Sequence, residues 1–295
     1  MKKSKLSLTN LDKIYWPKEK ITKGELINYY QAIAPYILPY LKNRPLSLKR
    51  NPNGVRDEGF YQKDADNIAP AWMKTIDVHS ESSNKIVHYL VANDIDSLLF
   101  VANLGCIEMN PWNSTAPKLD KPDYLIMDID PSEKNNFDQV VDVALVIKEI
   151  LDKAGMEGYC KTSGASGMHV YLPCKKKYDY DEVRDFAKLI ATMVTEQLPG
   201  STTMERSLKK RKKNQVYVDF LQNSQGQTLA SAYSARPKPG ASVSAPLDWK
   251  EVKHGLSPLD FTIKNMLKRV TRKGDLFNGV LGTPINIRQA LKKLE

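Results

Sequence analysis

Apolar residues along the chain recur at two different spacings, which separate the predicted helices from the predicted strands. Where they return every three or four positions, one face of a helix is apolar. Thr22 and Glu25 have the spacing of a capping box, which opens one such helix, and Pro35 is expected to end or kink it. Four helices are predicted: residues 23 to about 35, 137–154, 181–198, and a last helix that starts at Ser257 and Pro258.

Short runs of β-branched, aromatic and other apolar residues between turn residues predict strands. The runs cover residues 46–50, 86–91, 98–101, 107–109, 124–130, 168–173 and 216–221. Strands and helices do not alternate strictly, which favours an α+β or mixed α/β architecture with largely antiparallel sheets. Residues 237–248 read as a loop, and too little sequence follows them for a second domain. Residues 1–295 are therefore predicted to form one domain with two lobes.

The composition is that of a globular protein. Of 295 residues, 41% are hydrophobic and 26% are charged, which excludes disorder, collagen and coiled coil as descriptions of the whole chain. No apolar run approaches the ~18 residues of a membrane span, and no apolar signal-peptide segment follows the basic N-terminus. The three cysteines lack a C-x-x-C pair, so we expect a cytoplasmic location and no structural zinc site.

The charge distribution indicates a polyanionic partner. The net charge is +10, which favours association with nucleic acid. Seven lysines lie in residues 1–23 and six basic residues in 205–213, whereas residues 118–138 hold six acidic residues against three lysines. Basic segments around an acidic centre suit an enzyme that holds phosphates and metal ions together. Either basic run alone would also fit a solvated surface.

Carboxylates in two predicted strands form the first candidate site. Asp128 and Asp130 are two residues apart, so they point to the same side of one strand. Adjacent carboxylates repel each other, and a divalent metal ion would compensate them. Asp219 lies in another apolar strand and could be a third ligand of a two-metal site. Two solvated acids and a buried salt bridge are the alternatives.

A glycine-containing turn precedes a histidine in the next predicted strand. Gly164 and Gly167 permit backbone conformations in which amide groups face a shared concavity, where phosphate oxygens could bind. His169 begins the strand, and Ser163 stands before the turn. The turn is not a Walker A loop, and it equally fits an ordinary turn with a histidine in the sheet.

The motifs resemble one family when they are read in order. They are L-D-K-x-x-W-P, T-K-G-E, D-x-D-P, S-G-x-x-G-x-H, V-D-x-x-Q-N and Y-S-x-R. This order resembles the polymerase domain of bacterial ligase D, in the archaeo-eukaryotic primase superfamily. No ligase or phosphoesterase motif accompanies it, so we expect a stand-alone polymerase or an isolated domain. The resemblance runs from Leu11 to about residue 290. It implies a primase-type fold with an RRM-like catalytic lobe and an N-terminal α/β lobe packed around the active-site sheet.

The resemblance also implies roles for individual residues. Asp128, Asp130 and Asp219 would bind two divalent ions, Mn²⁺ or Mg²⁺. The nucleoside triphosphate would contact Ser163, Gly164, His169, Arg236, Lys49, Gln222, Phe60 and Asn110. Phe60 and Tyr61 would stack on nucleotide and template, and Lys13 and Lys23 would bind the 5′-phosphate of a DNA gap or end. Two positions depart from the family pattern: Asn110 stands where many relatives have His, and Ser166 where many have Lys.

The resemblance implies extension of 3′ ends and filling of gaps in non-homologous end joining, with a preference for ribonucleotides. DNA with 5′-phosphorylated gaps or ends and nucleoside triphosphates are the implied partners, with a Ku homologue and a DNA ligase, and we expect association with the nucleoid. Two other classes remain open. A metal-dependent nuclease could use the same three acids with His169 as base, and a non-catalytic RRM-type module could bind nucleic-acid ends without chemistry.

Overall fold

The computed structural model describes residues 6–80 and 84–295, so Lys2, Lys3 and Lys5 of the basic N-terminal run lie outside the described residues. The strands are β1 (Ile14–Trp16), β2 (Ile21–Thr22), β3 (Leu46–Arg50), β4 (Phe60–Gln62), β5 (Thr75–Ser80), β6 (Lys85–Leu90), β7 (Cys106–Pro111), β8 (Ser114–Thr115), β9 (Lys118–Pro122), β10 (Tyr124–Asp130), β11 (Tyr159–Thr162), β12 (Met168–Pro173), β13 (Thr202–Thr203), β14 (Val216–Asp219) and β15 (Pro246–Leu247). The helices are α1 (Lys23–Leu41), α2 (Ile95–Asn103), α3 (Phe137–Lys153), α4 (Tyr180–Gln197), α5 (Met266–Lys273) and α6 (Ile287–Leu294).

A six-stranded sheet forms the centre of the larger lobe. Its order is β13-β14-β10-β12-β11-β15, and every neighbouring pair is antiparallel except β13 with β14. The predicted α+β class with largely antiparallel sheets is confirmed. One face of the sheet carries buried apolar side chains such as Met127, Ile129 and Val170, and α3 and α4 pack beside these strands. The opposite face is left for polar side chains.

The two helices behind the sheet form where their periodicity predicts them. Each begins with a complete capping box, Asn136 with Gln139 in α3 and Asp179 with Glu182 in α4. Gly155, at a φ of 68°, follows the end of α3, a conformation that glycine adopts without strain. Because the capping residues and the apolar periodicity agree, the sequence alone was sufficient to locate these two helices.

The N-terminal lobe consists of α1, α2 and a three-stranded sheet in the order β4-β3-β7. Two tyrosine hydroxyl groups fix the position of α1. Tyr29 donates to the carbonyl of Tyr233, outside this lobe, at 2.7 Å, and Tyr30 donates to that of Ile107 in β7 at 2.6 Å. The expected end or kink at Pro35 is wrong as a boundary, because α1 continues to Leu41. Buried apolar side chains on both sides of the proline hold the helix against the core.

Two other predictions are wrong. Residues 98–101 are not a strand but part of α2, which Asp94 and Ser97 cap. A short apolar run fits a buried helix as well as a strand, and only tertiary packing decides between them. The helix expected from Ser257 is a single 3₁₀ turn at Pro258–Asp260, and α5 begins later, at Met266. Ser257 does cap that turn, so the predicted start of the helical segment was correct and only its predicted length was wrong.

The core is continuous between the two lobes, with buried residues from Tyr15 near the N-terminus to Ala290 in α6. Cys106, Cys160 and Cys174 are free thiols within or beside it. Among the helices of residues 6–80 and 84–295, none combines the length and apolar character needed to cross a bilayer.

The buried amide of Asn223 completes the edge of β10 beyond the end of β14. The pairing with β14 covers only Asp128 to Asp130. Two residues before Asp128 on that edge, Asn223 accepts from the amide of Ile126 and donates to its carbonyl, both at 2.8 Å. We expect Asn223→Ala to lower the free energy of unfolding by about 2–4 kcal/mol, because it leaves two buried backbone groups unpaired.

Urea denaturation measures this loss. Asn278→Ala, at an exposed position, is the matched control and should change stability by less than about 0.5 kcal/mol. Equal effects of the two substitutions would contradict the assigned role of Asn223.

Candidate active site

Strand register brings the predicted carboxylates together on the polar face of the central sheet. Asp128 in β10 lies directly opposite Asp219 in β14 and His169 in β12. Directly opposed residues of antiparallel strands share a face, with Cβ atoms about 4.5–5.5 Å apart. Asp130 is on the same face two residues along β10, opposite Tyr217. The four side chains therefore lie on the same face of the sheet.

Burial places the carboxylates under electrostatic strain. Asp128 is 3% exposed, and its Oδ1 has no hydrogen-bond partner within the described residues. Burial, and next the charge of Asp219, raises the pKa of Asp128 to about 7. Burial and the two neighbouring carboxylates likewise raise the pKa of Asp130 to about 7. The site thus favours protons or cations, the usual behaviour of crowded acids.

The aspartates are close but are not arranged as a finished metal site. In residues 6–80 and 84–295, no three Asp, Glu, His or Cys side chains form a group that could hold a metal ion as they stand. Asp219 turns one oxygen toward its own backbone and accepts from the amide of Leu221 at 2.7 Å. Mutual repulsion of uncompensated carboxylates accounts for side chains that share a face without converging on one point.

His169 lies between Asp128 and a buried lysine. Its Nε2 is 3.2 Å from Oδ1 of Asp128, outside hydrogen-bond alignment, and its Nδ1 is 2.7 Å from Nζ of Lys161. Burial is the main reason that the pKa values of His169 and Lys161 both lie well below their ordinary values. Sequence analysis assigned no role to Lys161. The sequence feature that could have revealed it is a lysine within an apolar strand, because burying an unpaired charge costs free energy.

The glycine turn is held together largely by its own groups. Ser163 Oγ accepts from the amides of Ala165 at 3.1 Å and Gly167 at 3.0 Å. These two amides are therefore not free to bind phosphate, contrary to the expectation of a backbone cradle. The glycines are needed for space: a Cβ on Gly167 would be 2.2 Å from the carbonyl oxygen of Ile129, and one on Gly164 would be 2.7 Å from Cγ of Arg236.

Arg236 connects the turn to the N-terminal lobe. Its Nε donates to Glu108 Oε2 at 2.8 Å, and its Nη1 donates to the carbonyl of Ser163. Asn110 donates to the other oxygen of Glu108 at 3.2 Å, and Lys49 lies opposite Glu108 in the β3–β7 pairing. Arg236 and Asn110 thus bind one acid, and Arg236 links that acid to Ser163. The sequence assigned no role to Glu108, although it is a buried charge in a strand.

The aromatic pair lies on β4 and is open to solvent. Phe60 is 49% exposed and Tyr61 is 67% exposed. Consecutive strand residues point to opposite faces, and the two rings accordingly lie near different cations. Arg50 is 5.3 Å from the Phe60 ring, and Lys49 is 5.6 Å from the Tyr61 ring. Tyr61 therefore shares a face with Lys49, and Phe60 faces away from it.

Two lysines meet at the start of the chain. Backbone pairing of Lys23 N with Lys13 O at 2.8 Å holds them together. Lys23 is buried and donates to the carbonyl of Thr9 at 2.8 Å, whereas Lys13 is exposed and donates to Asn53 at 2.5 Å. Burial, and then the charge of Lys13, lowers the pKa of Lys23. Such a pair of cations attracts an anion.

The basic run 205–213 and Gln222 are the remaining features that the sequence singled out. Arg211, from the basic run 205–213, lies 3.8 Å over the ring of Tyr217, the residue opposite Asp130. That run therefore borders the site. Gln222 follows β14, and its Oε1 is buried with no hydrogen-bond partner in the described part of the chain; its backbone carbonyl accepts from Asn113 at 3.2 Å.

Comparison with known proteins identifies the family and the fold. The sequence profile of the primase-polymerase domain of LigD matches residues 22–277. The chain belongs to this LigD primase-polymerase family. The resemblance in its motifs is thereby confirmed, and the match includes every aspartate described above.

Relatives and a solved structure agree with the family. The chain is 34% identical to the bifunctional non-homologous end joining protein LigD of Bacillus subtilis, over 98% of this chain and 47% of that protein. It is 29% identical to the multifunctional LigD of Mycolicibacterium smegmatis, over 92% of this chain and 35% of that protein. The chain thus spans half or less of these relatives. The polymerase domain of Mycobacterium tuberculosis ligase D, solved in complex with DNA, matches with a TM-score of 0.86 and 27% identity, over 96% of this chain and 100% of that one.

The crowded carboxylates should make stability depend on pH. Because the native pKa values of Asp128 and Asp130 are about 7 and the unfolded value is about 4, the native state binds more protons. The contribution is full below about pH 4 and is lost as pH rises through about 7. We expect Asp128→Asn to stabilise the protein by about 1–3 kcal/mol at pH 8 without divalent ions, and not at pH 4.

Urea unfolding with a chelator, at pH 4, 6 and 8, measures the difference between variant and parent. Asp185→Asn, at an exposed position of α4, should show no comparable pH-dependent gain. A stabilisation by Asp128→Asn that is equal at all three pH values would contradict the electrostatic explanation.

Proposed function

We propose that this chain is a DNA-end-directed nucleotidyltransferase that extends 3′ ends and fills gaps in a template-directed reaction. The observation that carries the proposal is the set of aspartates on one sheet face, with Arg236 and Lys49 at its border, in a fold of the LigD primase-polymerase family. The relatives' names place them in non-homologous end joining, and the M. tuberculosis domain was solved with DNA. These facts support the same process for this chain.

Asp128, Asp130 and Asp219 would hold two divalent ions, Mn²⁺ or Mg²⁺. The unpartnered Oδ1 of Asp128 and the raised pKa values of both β10 aspartates fit a missing positive charge. When bound, such ions activate a primer 3′-hydroxyl and stabilise departing pyrophosphate. The protein's own contribution is to fix the three carboxylates on one rigid sheet face, because positioning supplies much of the rate in phosphoryl transfer.

The nucleoside triphosphate would bind beside the aspartates, where cations from both lobes meet. Arg236 and Lys49 would face its phosphates, with Ser163, Gly164, His169 and Gln222 around them. Glu108 holds the Arg236 guanidinium at 2.8 Å, so the arginine is oriented before any ligand arrives. Such preorganisation lowers the cost of binding.

Bases would stack on the exposed rings of β4. Because Phe60 and Tyr61 lie near different cations, they suit two different partners, the template and the nucleotide. Base–aromatic stacking contributes about 1–3 kcal/mol per base. The family resemblance is the reason that we also propose a preference for ribonucleotides. Asn110 in place of His makes the sugar contact of this chain an amide rather than an imidazole.

Lys13 and Lys23 would bind the 5′-phosphate of the downstream strand. Their side chains are held at adjacent positions by backbone pairing, and two cations match the charge of a terminal phosphate. A Ku homologue and a DNA ligase are the proposed protein partners, and the proposed location is the nucleoid.

Loss of a single carboxylate should abolish nucleotide addition. We expect Asp219→Asn to reduce primer extension at least about 1000-fold. The neutral amide binds divalent ions less well than the carboxylate, and those ions would stabilise the negative charge of the transition state. The assay uses gapped DNA with a 5′-phosphorylated downstream strand, Mn²⁺ and either ribo- or deoxynucleotides. DNA binding should change less than about threefold.

Asp185→Asn, on the surface of α4, is the matched control and should extend normally. Normal extension by Asp219→Asn would contradict the catalytic assignment. Shortening of the DNA without nucleotide would instead support a nuclease, and binding without any chemistry would support an end-binding module.

Recognition of the 5′-phosphate should depend on the lysine pair. We expect Lys23→Ala to weaken binding of phosphorylated gapped DNA by about tenfold or more, since a hydrogen bond to a charged group contributes about 1.5–3 kcal/mol. Binding of the same DNA without the phosphate should change little. Fluorescence anisotropy at fixed salt measures both.

Lys188→Ala, an exposed lysine of α4, tests for general charge loss and should affect the two DNAs equally and weakly. If Lys23→Ala weakens both DNAs by the same factor, the pocket does not recognise the terminal phosphate.

A further inference from the structure

Two side chains of β7 share the face that the Arg236 guanidinium contacts. Glu108 and Asn110 are two residues apart in the strand, so they point to the same side of it. Each is 6% exposed. Arg236 donates to Glu108 at 2.8 Å, and a few residues farther along the chain Asn113 donates to the carbonyl of Gln222 at 3.2 Å. The chain around Asn110 is thus held to the arginine on one side and to the segment after β14 on the other.

The contact with Glu108 determines which way the Asn110 amide points. A glutamate paired with an arginine is ionised at neutral pH, and a carboxylate can only accept hydrogen bonds. One oxygen of Glu108 accepts from Arg236. The atom of Asn110 that lies 3.2 Å from the other oxygen is therefore the nitrogen of its NH₂ group. The amide oxygen of Asn110 must point away from Glu108.

That amide oxygen has no partner of its own. Within residues 6–80 and 84–295, Oδ1 of Asn110 accepts no hydrogen bond. It is reached by solvent, unlike the unpartnered and fully sealed Oδ1 of Asp128. An acceptor on a nearly buried side chain that keeps access to solvent suits a ligand that donates a hydrogen bond. A phosphate oxygen of a nucleotide does not, because it only accepts.

We propose that Glu108 is a positioning residue that fixes the Asn110 amide, so that Asn110 binds a sugar hydroxyl group of the incoming nucleotide and not its phosphates. The choice of ligand rests on the proposed function, whereas the orientation of the amide does not. Base amino groups are excluded as the donor, because uracil has none and a templated reaction uses every base. A site that binds a hydroxyl group in this way rejects the analogue that lacks it, since its own polar atom is left unpaired.

Neutron diffraction from crystals of the deuterated protein, without metal or nucleotide, tests the orientation directly. It locates the two deuterons of the Asn110 amide. We expect them on the atom that faces Glu108. An oxygen on that side would overturn the proposal, and the measurement needs no variant.

Nucleotide analogues test the hydroxyl contact in the wild-type protein by calorimetry with Mg²⁺. We expect loss of the contacted hydroxyl to weaken triphosphate binding about tenfold or more, because it leaves the Asn110 oxygen unpaired. The 2′-deoxy and 3′-deoxy analogues identify which hydroxyl it is. Fluorine at that position cannot donate, so the fluoro analogue should bind as weakly as the deoxy one. Full affinity of both deoxy analogues, or of the fluoro analogue, would overturn the proposal.

Variants test whether Asn110 and Glu108 cause this discrimination. Asn110→Leu has a similar size without polar atoms, and should bind the natural and deoxy nucleotides within about threefold of each other. In Glu108→Gln the single acceptor oxygen goes to the charged Arg236, so the new NH₂ group faces Asn110 and turns its amide around. This variant should also lose the discrimination. Retained discrimination in either variant would refute the role of the residue replaced.

Lys49→Met is the matched control, because it removes a proposed phosphate contact directly opposite Glu108 in the β3–β7 pairing. It should weaken binding of natural and deoxy nucleotides by the same factor and so preserve the discrimination. Loss of discrimination in this control would show that any damage to the sheet has the same effect, and would refute the specific role of Glu108. If the neutron map shows the expected amide but no nucleotide binds, the orientation by Glu108 stands and the proposed function fails.

Discussion

The site depends on negative charge that strand pairing concentrates on one face of a buried sheet. Asp128 is nearly inaccessible and lies opposite Asp219. The same register puts Ile129 and Val218 on the other face, where they are buried in the core. A shift of one residue would exchange the two faces, burying carboxylates in apolar packing and exposing the core. Hydrophobic packing on one face of the sheet therefore keeps the mutually repelling carboxylates together on the other face, because moving them apart would require a change of strand register.

Compensating cations come from segments far apart in sequence. Arg236 follows a buried segment near the end of the chain, Lys161 lies in β11, and Arg211 comes from the basic run before β14. Each is held by backbone or side-chain contacts that do not involve the aspartates: Arg236 by Glu108 and Ser163, Lys161 by Ala230 and Ser244. Because these cations are fixed elsewhere, they cannot collapse onto the carboxylates. The carboxylates therefore stay able to bind an added cation, at a cost in stability, which is the usual compromise between stability and function.

Sequence patterns were sufficient where local and tertiary preferences agree. The capping boxes and periodicity of α3 and α4, and the alternation of Asp128 and Asp130, needed no knowledge of the fold. Residues 98–101 could not be assigned in this way, because their apolar run fits a buried helix and a buried strand equally. The aspartates were recognisable because acids in apolar strands are costly. Glu108 and Lys161 gave the same signal, but their partners, Arg236 and His169, become apparent only when the strands are paired.

Arg236 couples the geometry of the site to the packing of the lobes. It touches Glu108 of the N-terminal sheet and Ser163 of the glycine turn. The segment before it is attached to α1, since Tyr29 donates to the carbonyl of Tyr233 and Tyr30 accepts from the amide of Ala235 at 3.1 Å. A movement of α1 relative to the central sheet would therefore displace the guanidinium from the border of the aspartates. Because buried side chains form one core across both lobes, such movement is resisted, and the arginine remains positioned before substrate arrives. The N-terminal lobe thus orients the arginine that lies at the border of the aspartates.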